Sequence, residues 1–324
     1  MVINLTDARP AVVSEESPVA PQKPKARRQS VYRRHRALIL MFIPGFLMFA
    51  LFAYGPLPGI IIAFKDFSIT QGIWGSDWVG FANFERLFAG GDFLRALRNT
   101  LVLAALDMLI VFPAPIILAL ALNELRWNPF KRLVQTLSYL PHFISWVVLA
   151  GILFQFLGSA GPLNALLGIF GVEAKAWLLD SSYFYLIFVI SKIWATIGWG
   201  AIIYIAALSG IDQTLYEAAR MDGAGRFKQI RHVTLPGIAP TIAIMFLLSL
   251  SNFLAVGFDQ VYNLTTPATQ TVADIVDTYV LRQALSFDFS LSMTASVFQA
   301  LVGLLLVLIG NSVIKRLDPE RGLF

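Results

Sequence analysis

The chain has 324 residues, of which 57% are hydrophobic and only 14% charged, and its formal net charge is +5. A soluble domain carries about 25% charged residues, so this composition excludes an ordinary soluble domain and indicates a membrane protein. There is no cysteine, and the three histidines (His35, His142 and His232) are far apart in sequence. The sequence therefore predicts no disulfide, no thiol nucleophile and no metal site.

Residues 1–30 are rich in Pro, Ser, Lys and Arg, which predicts a disordered tail, and residues 31–324 are expected to form one membrane domain. Six apolar runs in that domain reach the roughly 20 residues that cross a bilayer. The fold prediction is an all-α membrane protein with six transmembrane helices, some kinked by Pro44, Pro113, Pro115 and Pro141. The predicted spans are 37–62, 99–122, 134–157, 183–208, 238–258 and 291–314.

The basic residues show how these spans are oriented. Of the 25 Lys and Arg residues, 18 fall in the N-terminal tail, the loops 2–3 and 4–5, and the C-terminal tail. Six fall on the opposite side, and Lys192 lies inside span 4. Because basic residues remain cytoplasmic, both termini are predicted to be cytoplasmic, with the chain in a bacterial inner membrane. The positive charge is then a topology signal, and it gives no support for a nucleic-acid partner.

A polar segment, residues 212–236, separates spans 4 and 5 and is called the 212–236 element. Asp212 or Thr214 is expected to cap a helix over residues 217–221, which are strong helix formers. Gly223 and Gly225 permit a sharp turn after that helix. The element is therefore predicted to begin with a short helix and a turn on the cytoplasmic side.

The second half of the element has helical periodicity. Phe227, Ile230 and Val233 recur at helical spacing, which predicts an amphipathic helix held against the membrane. Pro236 is expected to end this helix before span 5 begins. Small side chains at Ala218 and Ala219 allow the first helix to enter a groove on another protein, whereas an ordinary interfacial loop would show no fixed order of residues.

The order of residues in this element resembles a known signature. EAA, followed by DGA and then by F, I and LP, is similar to the EAA motif of ABC importer permeases of the binding-protein-dependent type. The resemblance implies a MetI-like (type I) permease core, in which this element is a coupling helix that docks in a cleft of a cytoplasmic ATPase. The matching positions are Glu217, Ala218, Ala219, Asp222, Gly223, Ala224, Phe227, Ile230, Leu235, Pro236 and Pro240.

Other stretches resemble the carbohydrate-uptake branch, and within it the permeases of alginate importers. They include KDFSITQGIWGSDWVGFANFERLF after span 1 and the run from FPAPIILALALNELRWNPF through span 3. The resemblance implies import of an oligo- or polysaccharide, with an acidic, alginate-like sugar as one option. It also implies a second permease subunit forming a heterodimer, two ATP-binding subunits that hold ATP and Mg, and a periplasmic or lipid-anchored solute-binding protein.

Three other functions are alternatives to a saccharide permease. The first is an ABC permease for another small solute. The second is an ion-coupled secondary transporter, which would require inverted repeats and ionisable residues at the midplane. The third is a membrane enzyme, which would require clustered carboxylates or histidines near one face. The EAA motif favours a permease, and since the chain has no GxxxxGK[ST] loop, it is expected to be non-catalytic and to have no cofactor of its own.

Two charged residues lie inside predicted spans. Asp107 and Lys192 lie about 10 and 14 Å from the outer ends of spans 2 and 4, at 1.5 Å of rise per residue. An intramembrane charge usually faces the bundle interior or a wet cavity. Either the two residues pair with each other, or Lys192 faces an anionic sugar in the transport pathway.

Two outer segments have open interpretations. Phe81, Phe84 and Phe88 share one helical face, which fits either an interfacial helix in the headgroups or a contact with the gate or the binding protein. The last outer loop, 259–290, is acidic, and this fits either a contact with a delivering protein or a solvated loop. Its charged residues are Asp259, Asp274, Asp277, Asp288 and Arg282.

Overall fold

The computed structural model describes residues 36–317, so the predicted tail 1–30 lies outside the described residues. The chain forms two compact units, Met1–Pro58 and Gly59–Phe324. In the first unit, a helix over Arg36–Phe49 contains Pro44 and continues into a π-helical turn over Ala50–Tyr54.

Within the described residues, five continuous helices are long and apolar enough to cross a membrane, and a bent pair brings the number to six if it counts as one span. Each overlaps one predicted apolar run. The helices are Leu38–Phe64, Gly91–Glu124, Ser181–Ser209, Arg226–Ser251 and Phe289–Ser312, and the bent pair is Asn128–Phe143 with Trp146–Phe156.

The third predicted span, 134–157, is not one kinked helix. The two helices of the bent pair meet at 107°, which is far larger than the kink that proline causes within a continuous helix. Pro141 lies in a 3₁₀ turn that ends at Phe143, and the backbone is then extended at Ile144 and Ser145. The hydroxyl of Ser145 accepts a hydrogen bond from the amide of Val148 and caps the new helix.

The fifth span also differs from its prediction of 238–258. Its helix begins at Arg226, runs through Pro236 and ends at Ser251, so Pro236 does not separate an amphipathic helix from the span. A π turn over Ile230–Thr234 ends two residues before the proline. The wider turn accommodates a residue that lacks an amide hydrogen and that would clash with the preceding turn of a regular α-helix.

The same arrangement occurs in the second span. A π turn over Asp107–Val111 precedes Pro113, which then lies in the first turn of the helix Pro113–Glu124. The helix Gly91–Leu106 and this second helix therefore remain one continuous span, in spite of the two prolines at 113 and 115. The prolines are accommodated by a local change of hydrogen bonding within this helix.

The second unit has three buried apolar clusters. One joins spans 2 and 4 to the chain after span 5, and its members include Leu103, Phe188 and Leu264. A second surrounds Phe93, and the third surrounds Tyr204 at the other end of the spans. The helix Asn128–Tyr139 lies so close to span 4 that a Cβ atom at Gly198 would overlap the carbonyl of Ser138.

Short elements connect the spans. Strands β1 (Lys65–Asp66) and β2 (Asp77–Trp78) form an antiparallel hairpin that pairs Lys65 with Trp78 and Asp66 with Asp77. Apart from this hairpin, all regular secondary structure in the described residues is helical. The remaining α-helices are Gly72–Gly75, Ala82–Ala89, Pro162–Gly168, Gln213–Met221, Phe258–Leu264, Gln270–Ala273 and Val276–Leu285, and short 3₁₀ turns cover Trp177–Leu179 and Ser181–Tyr183.

Candidate functional site

The 212–236 element begins with the helix Gln213–Met221. Of the two capping candidates, Asp212 is the N-cap, because its carboxylate accepts a hydrogen bond from the amide of Thr214 at 2.9 Å. That hydrogen bond stabilises the ionised carboxylate and lowers the pKa of Asp212 below its ordinary value. The cap fixes where the helix leaves span 4.

Gly223 ends this helix. Its φ of +75° lies in the left-handed region, which glycine adopts without a steric penalty. The amides of Gly223 and Ala224 donate to the carbonyls of Arg220 and Ala219, and so close the last turn. Gly225 has a φ of −68°, so only one of the two predicted turn glycines uses the left-handed conformation.

The element is anchored to the ends of spans 4 and 5. The hydroxyls of Tyr216 and Thr234 lie 3.0 Å apart, and Nε2 of Gln229 donates to the carbonyl of Ala224 at 2.7 Å. Ile211 packs in the cluster around Tyr204. These contacts connect the short helix to both spans.

The surface of the element combines polar and apolar side chains. Met221 is 88% exposed and Phe227 is 77% exposed, while Ile230 and Val233 are half-buried. Phe227 is therefore not buried against the rest of the described chain. Of the other predicted positions, Ala219 and Ala224 are half-buried, and the exposed ones are Glu217, Ala218, Asp222, Gly223 and Pro236.

The structure brings the two intramembrane charges together. Nζ of Lys192 lies 2.7 Å from Oδ1 of Asp107. The contact is an ion pair by distance and lacks the alignment of a good hydrogen bond. Nζ also donates to the carbonyl of Val256 at 3.1 Å. The side chain of Lys192 is 16% exposed and that of Asp107 is 36% exposed.

Among the described residues, two side chains donate hydrogen bonds that join the chain segment after span 5 to span 4, and the first is Lys192. The second is Gln260, which is fully buried and donates to the carbonyl of Phe188 and the hydroxyl of Ser191. Gly257, with a φ of +95°, makes the turn between Val256 and Gln260, the two residues of this segment that bond to span 4. The predicted span 5 runs to residue 258, and it therefore hides this separate segment. The sequence signal for the segment is Gly257 followed by Gln260 within an apolar run.

A polar cavity lies at the break in the third span. It has a volume of about 380 Å³, and its lining includes His142, Ser145, Asp259 and Asn263. The ring of His142 stacks on Trp199, with centroids 4.5 Å apart and an interplanar angle of 4°. Sequence analysis did not find this site because its residues come from three separate segments.

The acidic outer loop is mostly folded and paired. Asp274 is 2% exposed and forms a two-point hydrogen-bonded pair with Arg282 at 2.9 and 2.8 Å. Asp288 pairs with Arg86 at 2.6 Å, and Asp277 accepts from Gln299. Three of the four acids are therefore paired, either within the loop or with neighbouring segments.

The three outer phenylalanines belong to two clusters. Phe81 and Phe84 contact the ring of Phe64, whereas Phe88 packs on Phe93 and Phe298. The residues that the helix Ala82–Ala89 buries are Asn83 and Leu87. The three phenylalanines therefore pack against two different groups of aromatic rings.

Apolar helices of membrane length, with an ion pair inside them and a polar element at one end, are typical of an integral membrane protein. The family described as the binding-protein-dependent transport system inner membrane component matches residues 111–322, and the chain belongs to this family.

Curated relatives and solved structures agree with this family. Protein LplB of Bacillus subtilis (strain 168) is 45% identical over 90% of this chain and 92% of its own length. The polygalacturonan/rhamnogalacturonan transport system permease protein YteP of the same organism is also 45% identical, over 89% and 90%.

Two solved structures cover almost the whole fold. A chain of a bacterial ABC transporter involved in the import of the acidic polysaccharide alginate is 37% identical, with a TM-score of 0.83, over 90% of this chain and 99% of that one. A chain of the bacterial alginate ABC transporter in complex with an alginate pentasaccharide-bound periplasmic protein is 36% identical, with a TM-score of 0.82, over 90% and 98%. The resemblance to carbohydrate ABC permeases is thereby confirmed, and so is the all-helical MetI-like permease fold.

Proposed function

We propose that this chain is a pore-forming permease subunit of an ATP-driven, binding-protein-dependent importer of acidic oligo- or polysaccharides. The observation that carries the proposal is the 212–236 element, a capped and anchored helix that exposes Ala218 and Met221 at the end of two spans. The substrate class is supported by the relative named for polygalacturonan and rhamnogalacturonan and by the alginate importers. A permease for another small solute is the alternative.

The topology follows from the basic residues. In this proposal the bent pair is the third of six spans, so both termini lie on one side of the membrane, and the basic residues support the cytoplasmic side of a bacterial inner membrane for them and for the 212–236 element. Residues 31–324 then form the permease domain, and residues 1–30 form a cytoplasmic tail. The loops on the opposite side face the solute-binding protein, as expected for an importer.

The partners follow from the family and from what this chain lacks. Its sequence contains no phosphate-binding loop, so two separate ATP-binding subunits hold ATP and Mg and hydrolyse the nucleotide. A second permease subunit supplies the other half of the pore. A periplasmic protein delivers the sugar, as in the alginate transporter complex.

The 212–236 element couples ATP hydrolysis to the pore. The short helix docks in a groove of the ATPase, with the small side chain of Ala218 allowing close approach and Met221 and Phe227 supplying apolar contact. Movement of the ATPase then pulls on spans 4 and 5 through Ile211 and the Tyr216–Thr234 contact.

The sugar pathway passes the break in the third span. Aromatic rings and hydrogen-bonding side chains are suited to saccharides, since rings pack on the apolar faces of a sugar and polar groups bind its hydroxyls. The stacked pair His142–Trp199 and the polar side chains of Asp259 and Asn263 provide both. The charge of Lys192 is compensated by Asp107, so its first role is structural.

The test replaces exposed residues of the element in the assembled importer. Ala218→Trp adds volume on the docking face without overlapping this chain, because Ala218 is exposed. Gly223→Val strains the left-handed turn. Both variants are expected to insert normally, to pull down less ATPase, and to lose binding-protein-stimulated ATP hydrolysis and uptake together. Lys228→Trp is the matched control, because it adds a bulky side chain at another exposed position of the same element.

Normal ATPase pull-down and normal stimulation in Ala218→Trp would show that the element is not the coupling helix. The substrate class is tested separately, by comparing uptake of an acidic oligogalacturonide with that of a neutral oligosaccharide of equal length. Uptake of the neutral sugar alone would overturn the acidic substrate and leave the permease function intact.

A further inference from the structure

An apolar cavity of about 470 Å³ lies between the second helix of the bent pair and span 4. Its volume falls in the roughly 300–1,000 Å³ range of ligand pockets. Leu153 and Phe156 line one side, and Leu186, Ile190 and Trp194 line the other. The hydroxyl of Ser191 also reaches the lining, but it donates to the carbonyl of Ile187 at 2.6 Å. The cavity therefore offers almost no polar group to an occupant.

The length of the cavity matches one leaflet of a bilayer. Along span 4 its lining extends from Tyr183 to Trp194, a rise of about 16 Å at 1.5 Å per residue. Half of the roughly 30 Å hydrocarbon core is about 15 Å. Leu163 and Trp177 also line the cavity, from the outer loop. A groove of this length is too short for a membrane-spanning helix of a partner but suits one acyl chain.

A cation lies beside the outer end of this cavity. Nζ of Lys175 is 5.8 Å from the ring centroid of Trp177 and 5.9 Å from that of Tyr183, and both rings line the cavity. In the part of the chain that the structure describes, no carboxylate lies within 4.0 Å of this nitrogen. The carboxylate of Asp180, which is nearby in sequence, accepts from the amide of Ser182 in its own turn. Lys175 thus remains available to an anion.

The position of Lys175 is built into the loop. Asn164 is 5% exposed and donates to the carbonyls of Gly158 and Lys175, both at 2.7 Å. Its carbonyl oxygen accepts from the amide of Lys175 at 3.2 Å and from Nε1 of Trp177 at 2.9 Å. One buried amide side chain therefore fixes the backbone of Lys175 and the ring of Trp177 at the end of the cavity.

We propose that this cavity binds one acyl chain of an anionic glycerophospholipid from the outer leaflet, and that Lys175 pairs with the lipid phosphate. The acyl chain contacts Leu153 and Ile190, while Trp177 and Tyr183 lie at the level of the glycerol backbone, where aromatic rings are favoured. This lipid site goes beyond the transport function and relies only on the proposed orientation of the chain.

The experiment uses the absence of cysteine in this chain. An Ile190→Cys variant is labelled with an environment-sensitive fluorophore in the assembled importer, and the unsubstituted complex supplies the labelling blank. The importer is then placed in vesicles containing phosphatidylglycerol or phosphatidylcholine with brominated acyl chains, which quench the fluorophore on contact. Quenching by phosphatidylglycerol is expected to require about five-fold less lipid, as one lysine near an anionic lipid gives.

Two further variants decide the outcome. Adding Lys175→Gln is expected to remove the preference for phosphatidylglycerol, whereas adding Lys228→Gln, a matched change in the 212–236 element, is expected to retain it. Equal quenching by the two lipids, or a preference that survives Lys175→Gln, would overturn the proposal. No quenching by either lipid would mean that a partner subunit fills the cavity, which overturns it as well. None of these results depends on whether the importer transports an acidic sugar.

Discussion

Replacing Lys192 by methionine would test how much the intramembrane ion pair stabilises this protein. Nζ of Lys192 contacts Asp107 at 2.7 Å and the carbonyl of Val256 at 3.1 Å. Methionine keeps much of the side-chain volume but removes the charge and the donor. The variant therefore leaves Asp107 without its cation and Val256 without its hydrogen bond.

Both lost contacts lower the free energy of unfolding. Removing one partner of a fully buried pair costs about 3–5 kcal/mol. Because the side chain of Asp107 is 36% exposed, we expect roughly half of that, about 2 kcal/mol. The lost hydrogen bond to Val256 adds about 1 kcal/mol. At the usual entropy of unfolding per residue, a total near 3 kcal/mol lowers the melting temperature by about 4 °C.

The assay is thermal melting of the purified importer in lipid, compared with uptake in vesicles. Lys192→Met combined with Asp107→Leu removes both charges and should recover about two-thirds of the lost stability. Lys228→Met is the matched control at an exposed lysine and should leave the melting temperature unchanged. An unchanged melting temperature in Lys192→Met, or a double variant no more stable than the single one, would refute the reasoning. A stable double variant that no longer transports would instead assign Lys192 to the sugar pathway.

Two further predictions concern the outer side. Burial raises the pKa of Asp277 above its ordinary value of 3.8 in spite of the hydrogen bond from Gln299. The folded protein therefore binds this proton more tightly than the unfolded chain, and the resulting stability is complete below about pH 3.8 and is lost as the pH rises through the raised pKa. Melting curves across this window should show a smaller loss in Asp277→Asn, and an identical pH dependence would contradict the assignment. Asn164→Leu leaves buried backbone groups around Lys175 unpaired and should cost about 2 kcal/mol, visible as faster hydrogen exchange in residues 157–177 but not in the 212–236 element.

The sequence by itself determined the membrane class, the approximate positions of the apolar helices and the family. Composition and run length suffice for the first two, because a bilayer imposes a fixed length of apolar helix. The EAA order sufficed for the third, because a fixed order of small, acidic and glycine residues distinguishes this segment from an ordinary interfacial loop. Gly223 illustrates this, since its left-handed backbone was expected from the residue alone.

The form that each proline break takes was decided only by the tertiary structure. Pro113 and Pro236 each follow a π turn inside a continuous helix, whereas Pro141 lies at a break of 107°. The residue is the same in all three places, and its missing hydrogen bond has several solutions. Which one is used depends on the neighbouring helices, such as the close approach of Ser138 to Gly198, and local sequence does not report that contact.

The polar sites were also decided by long-range packing. Comparable depths below the outer ends of their spans made Asp107 and Lys192 candidates for a pair. Their 2.7 Å contact, however, depends on which faces of spans 2 and 4 meet. Gln260 bonds to span 4 across 72 residues of sequence, and His142 stacks on Trp199 across a helix break. A side chain's hydrogen-bonding capacity can be read from its residue type, but its partner is chosen by the fold, because only packing brings distant segments within 3 Å of each other.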